Sequence, residues 1–317
     1  MGRSPLLLLM GCLLSPALFA AQPAEWFLQM TQKAGQQSFR GTFIYERSGI
    51  FSSHRIWHLA QGDGASRERL LQLDGPAQEV VLTNGQISCA TAQLIEQWSG
   101  LQPGVGHSLD VRRLDQAYEL RVLGDSRVAG RAAVALLLLP RDADRYAREM
   151  HLDAESGLPL KSLLLNDQGQ LLERLQFTEL KVNQAITAEQ LQPVTDCQKA
   201  PQVSRAGAAQ SLWQARWVPS GFVQSGFSQR PGSVSGLPVE SLIFDDGMAR
   251  FSVFVEPLGD AVVDTAHTQV GPTVVVARPV KTDGGTFMAT VVGEIPLATA
   301  ERILLSVGMN GSKEGVQ

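Results

Sequence analysis

The chain has 317 residues and a formal net charge of −4 at pH 7. This length leaves room for about two domains of ordinary size. The acidic balance disfavours broad nucleic-acid binding, which requires a basic face. Beyond the apolar start of the chain, no stretch reaches the roughly 20 apolar residues that a membrane-spanning helix needs.

Residues 1–20 have the layout of a secretory signal peptide. Arg3 is the only charge before Glu25, an apolar run follows it, and small residues at 17–21 offer a cleavage site. Cleavage after Ala20 removes one arginine and no acid, so the mature net charge is −5. The alternatives are an uncleaved anchor and a lipid-modified Cys12, and the shortness of the apolar run disfavours both.

Two cysteines, Cys89 and Cys197, remain after this cleavage. An even number of cysteines in an exported protein permits a disulfide. Such a bond would close a long loop and contribute on the order of 4 kcal/mol from chain entropy. Two separate buried thiols are the alternative, since sequence spacing alone does not show that the residues meet.

The mature chain is predicted to begin with a short helix and to continue as strands. Apolar residues recur at helical spacing from Trp26 to Ala34. The period changes to two at Phe39, which shares one strand face with Phe43 and Tyr45. Further along, Asn84-Gly85 predicts a tight hairpin between residues 79–83 and 86–89.

The rest of the first unit is predicted to be a meander of strands with few helices. Strands are expected at residues 55–59, 67–73, 118–123, 132–139, 146–153, 160–165 and 171–180, and a short helix at 91–98. This pattern favours a curved antiparallel sheet, partly closed into a half-open barrel, over residues 21–198. Helices against its inner face can leave an apolar cavity for a small ligand. The fold class is therefore predicted to be α+β and β-rich.

A second, smaller α+β domain is predicted at residues 212–308. The small and polar residues 199–211 form a linker, and alternation of Trp213 and Trp217 starts the new unit. It contains a hairpin of residues 239–244 and 248–256, strands at 274–277 and 286–292, and a final helix at 298–307 that Gly308 ends. Residues 309–317 form a flexible tail.

A search for catalytic and metal-binding patterns predicts no catalytic residue, no metal and no cofactor. The sequence has no phosphate-binding loop and no nucleophile elbow. His54 and His58 have the spacing of zinc ligands on a helix, but on a strand they lie roughly 13 Å apart at about 3.3 Å per residue. Asp245 and Asp246 are interpreted as turn formers.

Two sets of apolar side chains are candidate binding surfaces. The candidate lipid pocket consists of Phe39, Phe43, Tyr45, Trp57, Leu71, Leu73 and Trp98. The candidate partner-binding face of the second unit consists of Trp213, Trp217, Phe222, Phe251 and Phe254. An ordinary hydrophobic core is the alternative for each set, and composition does not separate the two interpretations.

Several phrases resemble segments of the MucB/RseB family. They are residues 70–76 (LLQLDGP) with 79–81 (EVV), 153–161 (DAESGLPLK), 213–222 (WQARWVPSGF), 238–241 (PVES), 246–247 (DG), 251–253 (FSV) and 291–296 (VVGEIP). Residues 39–47 (FRGTFIYER) are similar to the MucB branch in particular. The phrases span nearly the whole mature chain in the family's order, and their combination is more specific than any single phrase.

The resemblance implies a periplasmic negative regulator of an extracytoplasmic stress sigma factor. Such proteins bind the periplasmic part of a membrane-spanning anti-sigma factor, MucA or RseA, and shield it from regulated proteolysis. Lipid signals such as lipopolysaccharide are expected to release it. The resemblance further implies a large domain similar to the lipoprotein carriers LolA and LolB, a small domain that binds the anti-sigma factor, and, in the MucB branch, an effect on alginate production. A homodimer is left open.

Two other functions are weighed against this one. A periplasmic lipoprotein or lipid carrier would explain the large domain alone, but it needs no second domain at 212–308. A periplasmic hydrolase would need a nucleophile or metal constellation, which the sequence does not present.

Overall fold

Two antiparallel sheets organise the molecule. The computed structural model describes residues 23–34, 36–62, 64–91, 111–199, 211–232, 238–258 and 264–310. The larger sheet belongs to the N-terminal part, residues 23–199, and the smaller one to the C-terminal part, residues 211–310. The expected signal peptide, most of the expected 91–98 helix and most of the linker lie outside these ranges. No helix in the described ranges has the length and apolar character to cross a membrane.

The large sheet has eleven strands within the described ranges. In chain order they are β1 (Phe39–Arg47), β2 (Ile50–Gly62), β3 (Ala65–Gln72), β4 (Glu79–Thr83), β5 (Gln86–Ala90), β6 (Tyr118–Val128), β7 (Arg131–Pro140), β8 (Ala147–Asp153), β9 (Pro159–Leu165), β10 (Leu171–Val182) and β11 (Gln198–Lys199). The spatial order is β11-β5-β4-β3-β2-β1-β10-β9-β8-β7-β6. Because β11 and β6 stand at opposite edges and do not pair, the sheet is open, which confirms the predicted β-rich fold.

Two helices cover one face of this sheet, called here the inner face. They are α1 (Pro23–Ala34) and α2 (Val111–Ala117). Proline suits the first turn of α1 because the N–H that it lacks has no helical partner there. Phe27 of α1 and Leu114 of α2 are fully buried against Leu136 and Leu152 of the sheet. The helix at residues 111–117 was not predicted.

Strand β1 shows why a glycine interrupts an otherwise apolar strand face. Phe39, Gly41 and Phe43 are buried and alternate with half-buried residues, as the period of two predicts. A Cβ atom on Gly41 would lie 2.6 Å from the carbonyl oxygen of Glu179 and 2.7 Å from the ring of Phe177. Only glycine therefore lets β10 pack this closely against β1.

The last residues of the N-terminal part form a strap, defined as residues 187–199, across the other face of the sheet, called the outer face. A disulfide joins Cys197 to Cys89 of β5, with the Cα atoms 5.5 Å apart. The buried carboxylate of Glu79 accepts hydrogen bonds from the N–H groups of Val194 and Thr195 at 2.8 and 3.0 Å. Glu79 also pairs with the buried Arg69. The strap is therefore held by one covalent and several polar contacts.

The C-terminal part is a sheet covered on one face by a helix. Its elements are β12 (Trp213–Ala215), β13 (Val223–Pro231), β14 (Pro238–Asp245), β15 (Arg250–Pro257), β16 (Ala266–Val270), β17 (Thr273–Thr282), β18 (Gly285–Gly293), α3 (Leu297–Leu305) and β19 (Val307–Met309). The six-stranded order is β13-β14-β15-β18-β17-β16, and β12 pairs separately with β19. The predicted hairpin is confirmed as β14 and β15. The prediction that the last helix reaches Val307 is wrong, because Val307 pairs with Ala215 in a strand.

Candidate partner-binding site

The structure divides the predicted lipid-pocket residues between the two faces of the large sheet. Phe39, Phe43 and Tyr45 lie on the inner face, in one cluster with Phe177 and Leu180. Trp57 is paired with Arg40, the residue after Phe39, so its side chain points to the outer face. Arg69 is the cross-strand partner of Trp57, so it points to the same face. Leu71, two residues after Arg69, also points to that face.

The six of these residues that the structure describes do not line one surface, so they do not form the predicted pocket. Trp57 is buried beneath the guanidinium of Arg69, which lies 4.6 Å from its ring centroid. Leu73 follows the end of β3 and is 42% exposed. Trp98 lies outside the described residues. Sequence spacing indicated the alternation within β1 but not the register that places β2 and β3 beside it.

The inner face combines aromatic rings with polar groups. The ring of His58 stacks on Phe39 at 4.9 Å, and that of His54 stacks on Phe43 at 5.2 Å. His58 is buried with its Nδ1 atom 3.3 Å from the carboxylate of Glu68. Burial lowers the pKa of His54. Both histidines lie on a strand, as predicted, and in the described ranges no three metal-binding side chains converge.

The second predicted set is the core of the C-terminal part rather than a surface. Trp213, Phe222 and Phe251 are buried in one cluster beneath α3. Phe251 stacks on Phe244 at 4.9 Å, because both face the helix from neighbouring strands. Phe254 lies three residues further along β15 and points to the opposite face.

Trp217, like Phe254, stays partly accessible. It is half-buried, and the guanidinium of Arg302 lies 3.8 Å from its ring centroid. The hydrophobic-core alternative therefore describes most of the set, since a small domain buries its large aromatic residues first.

The N- and C-terminal parts meet along a contact, called here the seam, that is centred on a buried ion pair. Arg145 Nη1 donates to Asp246 Oδ2 at 2.6 Å, and both side chains are almost fully buried. The hydroxyl of Tyr118 donates to the same oxygen at 3.1 Å. Arg145 also donates to the carbonyl oxygen of Ser220 and lies 5.0 Å from the ring of Phe222. One arginine of the N-terminal part thus enters a pocket of the C-terminal part.

Asp246 has two roles at this position. Its Oδ1 atom accepts the N–H groups of Met248 and Ala249 at 2.8 and 2.7 Å, so it forms the turn that the sequence predicted. Its Oδ2 atom faces Arg145. The second role was missed because the two residues are 101 positions apart.

A second charged contact crosses the seam at Glu294. Arg47 Nη2 donates to Glu294 Oε1 at 2.7 Å and to Glu173 Oε2 at 3.2 Å. The hydroxyl of Tyr45 donates to Glu173 at 2.6 Å. Burial, and then the charge of Glu173, raise the pKa of Glu294. Burial also raises the pKa of the Tyr45 hydroxyl, which stays neutral and able to donate.

Further hydrogen bonds extend the seam on both sides of these charges. The Tyr146 hydroxyl donates to the carbonyl oxygen of Ile295 at 3.1 Å, and the Thr299 hydroxyl donates to Asp144 at 2.9 Å. Gly271, in the turn after β16, has space for no side chain because a Cβ atom there would lie 2.8 Å from Arg47 Cγ. The two parts are therefore packed closely at this turn.

Exposed apolar side chains lie beside the second charged contact. Ile50, at the tip of the β1–β2 hairpin and paired with Arg47, is 75% exposed. Val270, next to Gly271 in the C-terminal part, is 60% exposed. Exposed apolar residues from both parts at one junction are typical of a protein-binding surface.

The comparisons with known proteins assign the chain to a family over nearly its whole length. Residues 22–195 match the model of the MucB/RseB N-terminal domain, and residues 207–308 match that of the MucB/RseB C-terminal domain. The chain belongs to the MucB/RseB family. The resemblance that the sequence phrases indicated is thereby confirmed.

Full-length relatives carry regulatory names. The chain is 48% identical over 308 residues to "Sigma factor AlgU regulatory protein MucB" of Pseudomonas aeruginosa, covering 97% of this chain and 98% of the relative. It is 30% identical over 311 residues to "Sigma-E factor regulatory protein RseB" of Escherichia coli K12, covering 93% and 94%. A solved structure of the Pseudomonas aeruginosa MucA/MucB complex contains a chain that is 47% identical and superposes with a TM-score of 0.81. That match covers 92% of this chain and 100% of the other.

Proposed function

We propose that this protein is a periplasmic negative regulator of an extracytoplasmic sigma factor. It binds the periplasmic segment of a MucA- or RseA-like membrane anti-sigma factor and shields that segment from regulated proteolysis. The observation that carries this proposal is the likeness to a MucB chain solved together with MucA, at a TM-score of 0.81 over 92% of this chain. The secretory layout of residues 1–20 is consistent with a periplasmic location.

We assign different tasks to the two parts of the molecule. Residues 21–198 respond to lipid and residues 212–308 bind the anti-sigma factor, with residues 199–211 as the linker. Since Trp213, Phe222 and Phe251 are buried, the binding surface consists instead of side chains that remain accessible, such as Val270. The seam supports this assignment because it joins the lipid-responsive part to the partner-binding part, so that binding to one part can affect binding to the other.

Lipid release requires that an acyl ligand binds the free protein better than the complex. The large sheet is open between β6 and β11 and carries Phe39 and Phe43 on its inner face. Burying an acyl chain there would contribute about 0.8 kcal/mol for each CH₂ group. A ligand that binds the free protein and the complex equally well would not shift the equilibrium between them, however tightly it binds.

Calorimetric titration of the mature protein with the periplasmic segment of its anti-sigma factor tests whether the protein binds that segment. We expect a one-to-one complex that also slows cleavage of the segment by its site-specific protease. Added lipopolysaccharide should weaken the complex. An acyl ligand with the same affinity in the presence and absence of the segment would reject coupled release while leaving the regulator function intact. Light scattering on the same samples shows whether the free protein is a homodimer.

A lipoprotein or lipid carrier is the second candidate function. The observation that favours it is that the large sheet is not closed between β6 and β11 and carries an apolar cluster on its inner face. The same titration distinguishes the carrier from the regulator. Capture of lipid without any binding of the anti-sigma segment would support the carrier.

A further inference from the structure

The outer face of the large sheet carries basic side chains on four adjacent strands. Lys181 of β10 is the cross-strand partner of Arg40 of β1, and Arg40 is that of Trp57 on β2. Arg55 lies two residues before Trp57, so it shares this face. Arg67 of β3 pairs with Leu59, two residues after Trp57. Lys181, Arg40, Arg55 and Arg67 are called here the basic outer face.

The acids near this face are already engaged in other contacts. Glu179 pairs with Lys181 at 2.9 Å, Glu46 with Arg174 at 3.4 Å, and Glu79 with Arg69. Asp74, at the end of β3, accepts the N–H of Ser53 at 2.8 Å. Glu179 therefore neutralises Lys181 of the basic outer face, whereas the other three carboxylates bind groups outside it.

Arg40, Arg55 and Arg67 form no ion pair within the part of the chain that the structure describes. A hydrogen bond from Lys181, then the charge of Lys181, and then the charges of Arg40 and Arg55 lower the pKa of the exposed Glu179. A local excess of positive charge therefore stands on a protein whose overall net charge is negative.

An exposed aromatic side chain continues the same face. Phe51 lies four residues before Arg55 on β2, an even spacing that places both on the outer face. Phe51 is 58% exposed. Basic residues beside exposed apolar groups are the combination by which proteins attach to the interface of an anionic membrane.

We propose that the basic outer face docks on the surface of an anionic phospholipid bilayer, with Phe51 entering the interfacial layer. Four adjacent strands spread the basic groups over roughly 14 Å, which suits an extended array of headgroups better than a single phosphate. The face offers no free strand edge, since the edges of the sheet are β6 and β11. A peptide lying across it would therefore gain side-chain contacts only.

Co-sedimentation of the mature full-length protein with lipid vesicles tests this docking. We expect binding to vesicles of phosphatidylethanolamine and phosphatidylglycerol, no binding to phosphatidylcholine vesicles, and loss of binding as salt is added. Replacing Arg40 and Arg55 by glutamine should lower the partition coefficient about fivefold for each arginine. Phe51→Ser should lower it further. Arg127→Gln and Lys281→Gln, which remove exposed charges elsewhere, serve as the matched controls and should bind like the wild type.

Equal partition into anionic and neutral vesicles, or an equal loss in the control variants, would overturn the proposal. So would capture of dispersed lipopolysaccharide or of an acidic peptide by a protein that ignores phosphatidylglycerol vesicles. If the arginine variants unfold, the salt and headgroup dependence of the wild type still decides the matter. The vesicles contain no anti-sigma factor, so failure here leaves the proposed regulatory function untouched.

Discussion

At the level of single residues, the seam depends on charges that are buried rather than exposed. The Asp246 side chain is 1% exposed and that of Arg145 is fully buried, so neither is solvated by water once the two parts meet. Such a pair adds little net stability compared with apolar residues. Loss of Arg145 would leave the Asp246 charge uncompensated, whereas loss of Asp246 would leave Arg145 with Asp142 as its remaining carboxylate partner. We infer that the pair specifies which surfaces meet more than it adds to stability.

Asp246→Asn is expected to destabilise the protein by about 2 kcal/mol. Asparagine keeps an oxygen that can accept the N–H groups of Met248 and Ala249, so the turn survives, but Arg145 loses its charged partner in the C-terminal part. Urea unfolding measures the change. Asp245→Asn, in the same turn, is the control and should have an effect near zero. Equal effects of the two substitutions would show that turn geometry, not the ion pair, sets the stability.

The raised pKa of Glu294 predicts that its contribution to folding stability depends on pH with the opposite sign to that of an ordinary paired carboxylate. Because burial raises its pKa in the folded state, the folded protein binds more protons than the unfolded chain. Its contribution to stability therefore improves as the pH falls towards the unfolded pKa, and worsens as the pH rises through the folded value. Relative to Glu294→Gln, the wild type should gain stability as the pH falls from neutral towards the pKa of glutamate in the unfolded chain. A difference that stays constant across this range would contradict the assignment.

At the level of secondary-structure elements, the sequence predicted the strands whose residues alternate between core and solvent. β1, β7, β14 and β15 have this alternation or a continuous apolar run, and all four were found. β16 was missed because all five of its residues are exposed, so no apolar period marks it. Val307 was placed in the final helix because its spacing from Ile303 fits a helix face as well as it fits the start of a strand.

The strap depends on its disulfide, and this dependence can be measured. The bond between Cys89 and Cys197 closes a sequence separation of 108 residues. Because the crosslink restricts the unfolded chain, replacing both cysteines by serine should lower the free energy of unfolding by roughly 2–4 kcal/mol. Urea unfolding with and without dithiothreitol provides the test. Reductant should destabilise the wild type and leave the double serine variant unchanged, and a wild type that is insensitive to reductant would contradict the role of the bond.

Glu79 adds a second, polar attachment of the strap. Burial alone would raise its pKa, but hydrogen bonds from Arg69, Thr195 and Val194 outweigh burial and lower the pKa below its usual value. The stability from this carboxylate is therefore present at neutral pH and is lost as the pH falls through its folded pKa. The strap and the seam thus respond to acid in opposite directions.

At the level of the whole molecule, the family and the fold class were predictable, whereas the candidate site was not. The phrases around Asp246 and Glu294 identified the family, but they did not reveal the partners of these two residues. Asp246 is 101 positions from Arg145 in the sequence, and Glu294 is 247 positions from Arg47. The two predicted sets of apolar residues do not form the predicted binding surfaces, for a related reason. Apolar composition marks both a core and a binding surface, and only the register and the layer order decide which side of a sheet a residue occupies.

The seam should matter for partner binding if the anti-sigma segment contacts both parts of the protein. A double variant, Asp246→Asn with Glu294→Gln, removes one charge from each of the two ionic contacts across the seam. We expect it to bind the segment about tenfold more weakly, because part of the binding free energy must then restore the arrangement that the seam holds in advance. Calorimetry measures the affinity, and small-angle scattering should show a larger radius of gyration for the free variant.

Asp245→Asn combined with Glu301→Gln is the matched control, since it removes two carboxylates of the C-terminal part that make no ion pair across the seam within the described ranges. The control should bind the anti-sigma segment like the wild type and keep its radius of gyration. If the seam variant expands but binds with unchanged affinity, the segment contacts one part alone. The seam would then orient the large sheet without forming part of the surface that binds the anti-sigma segment.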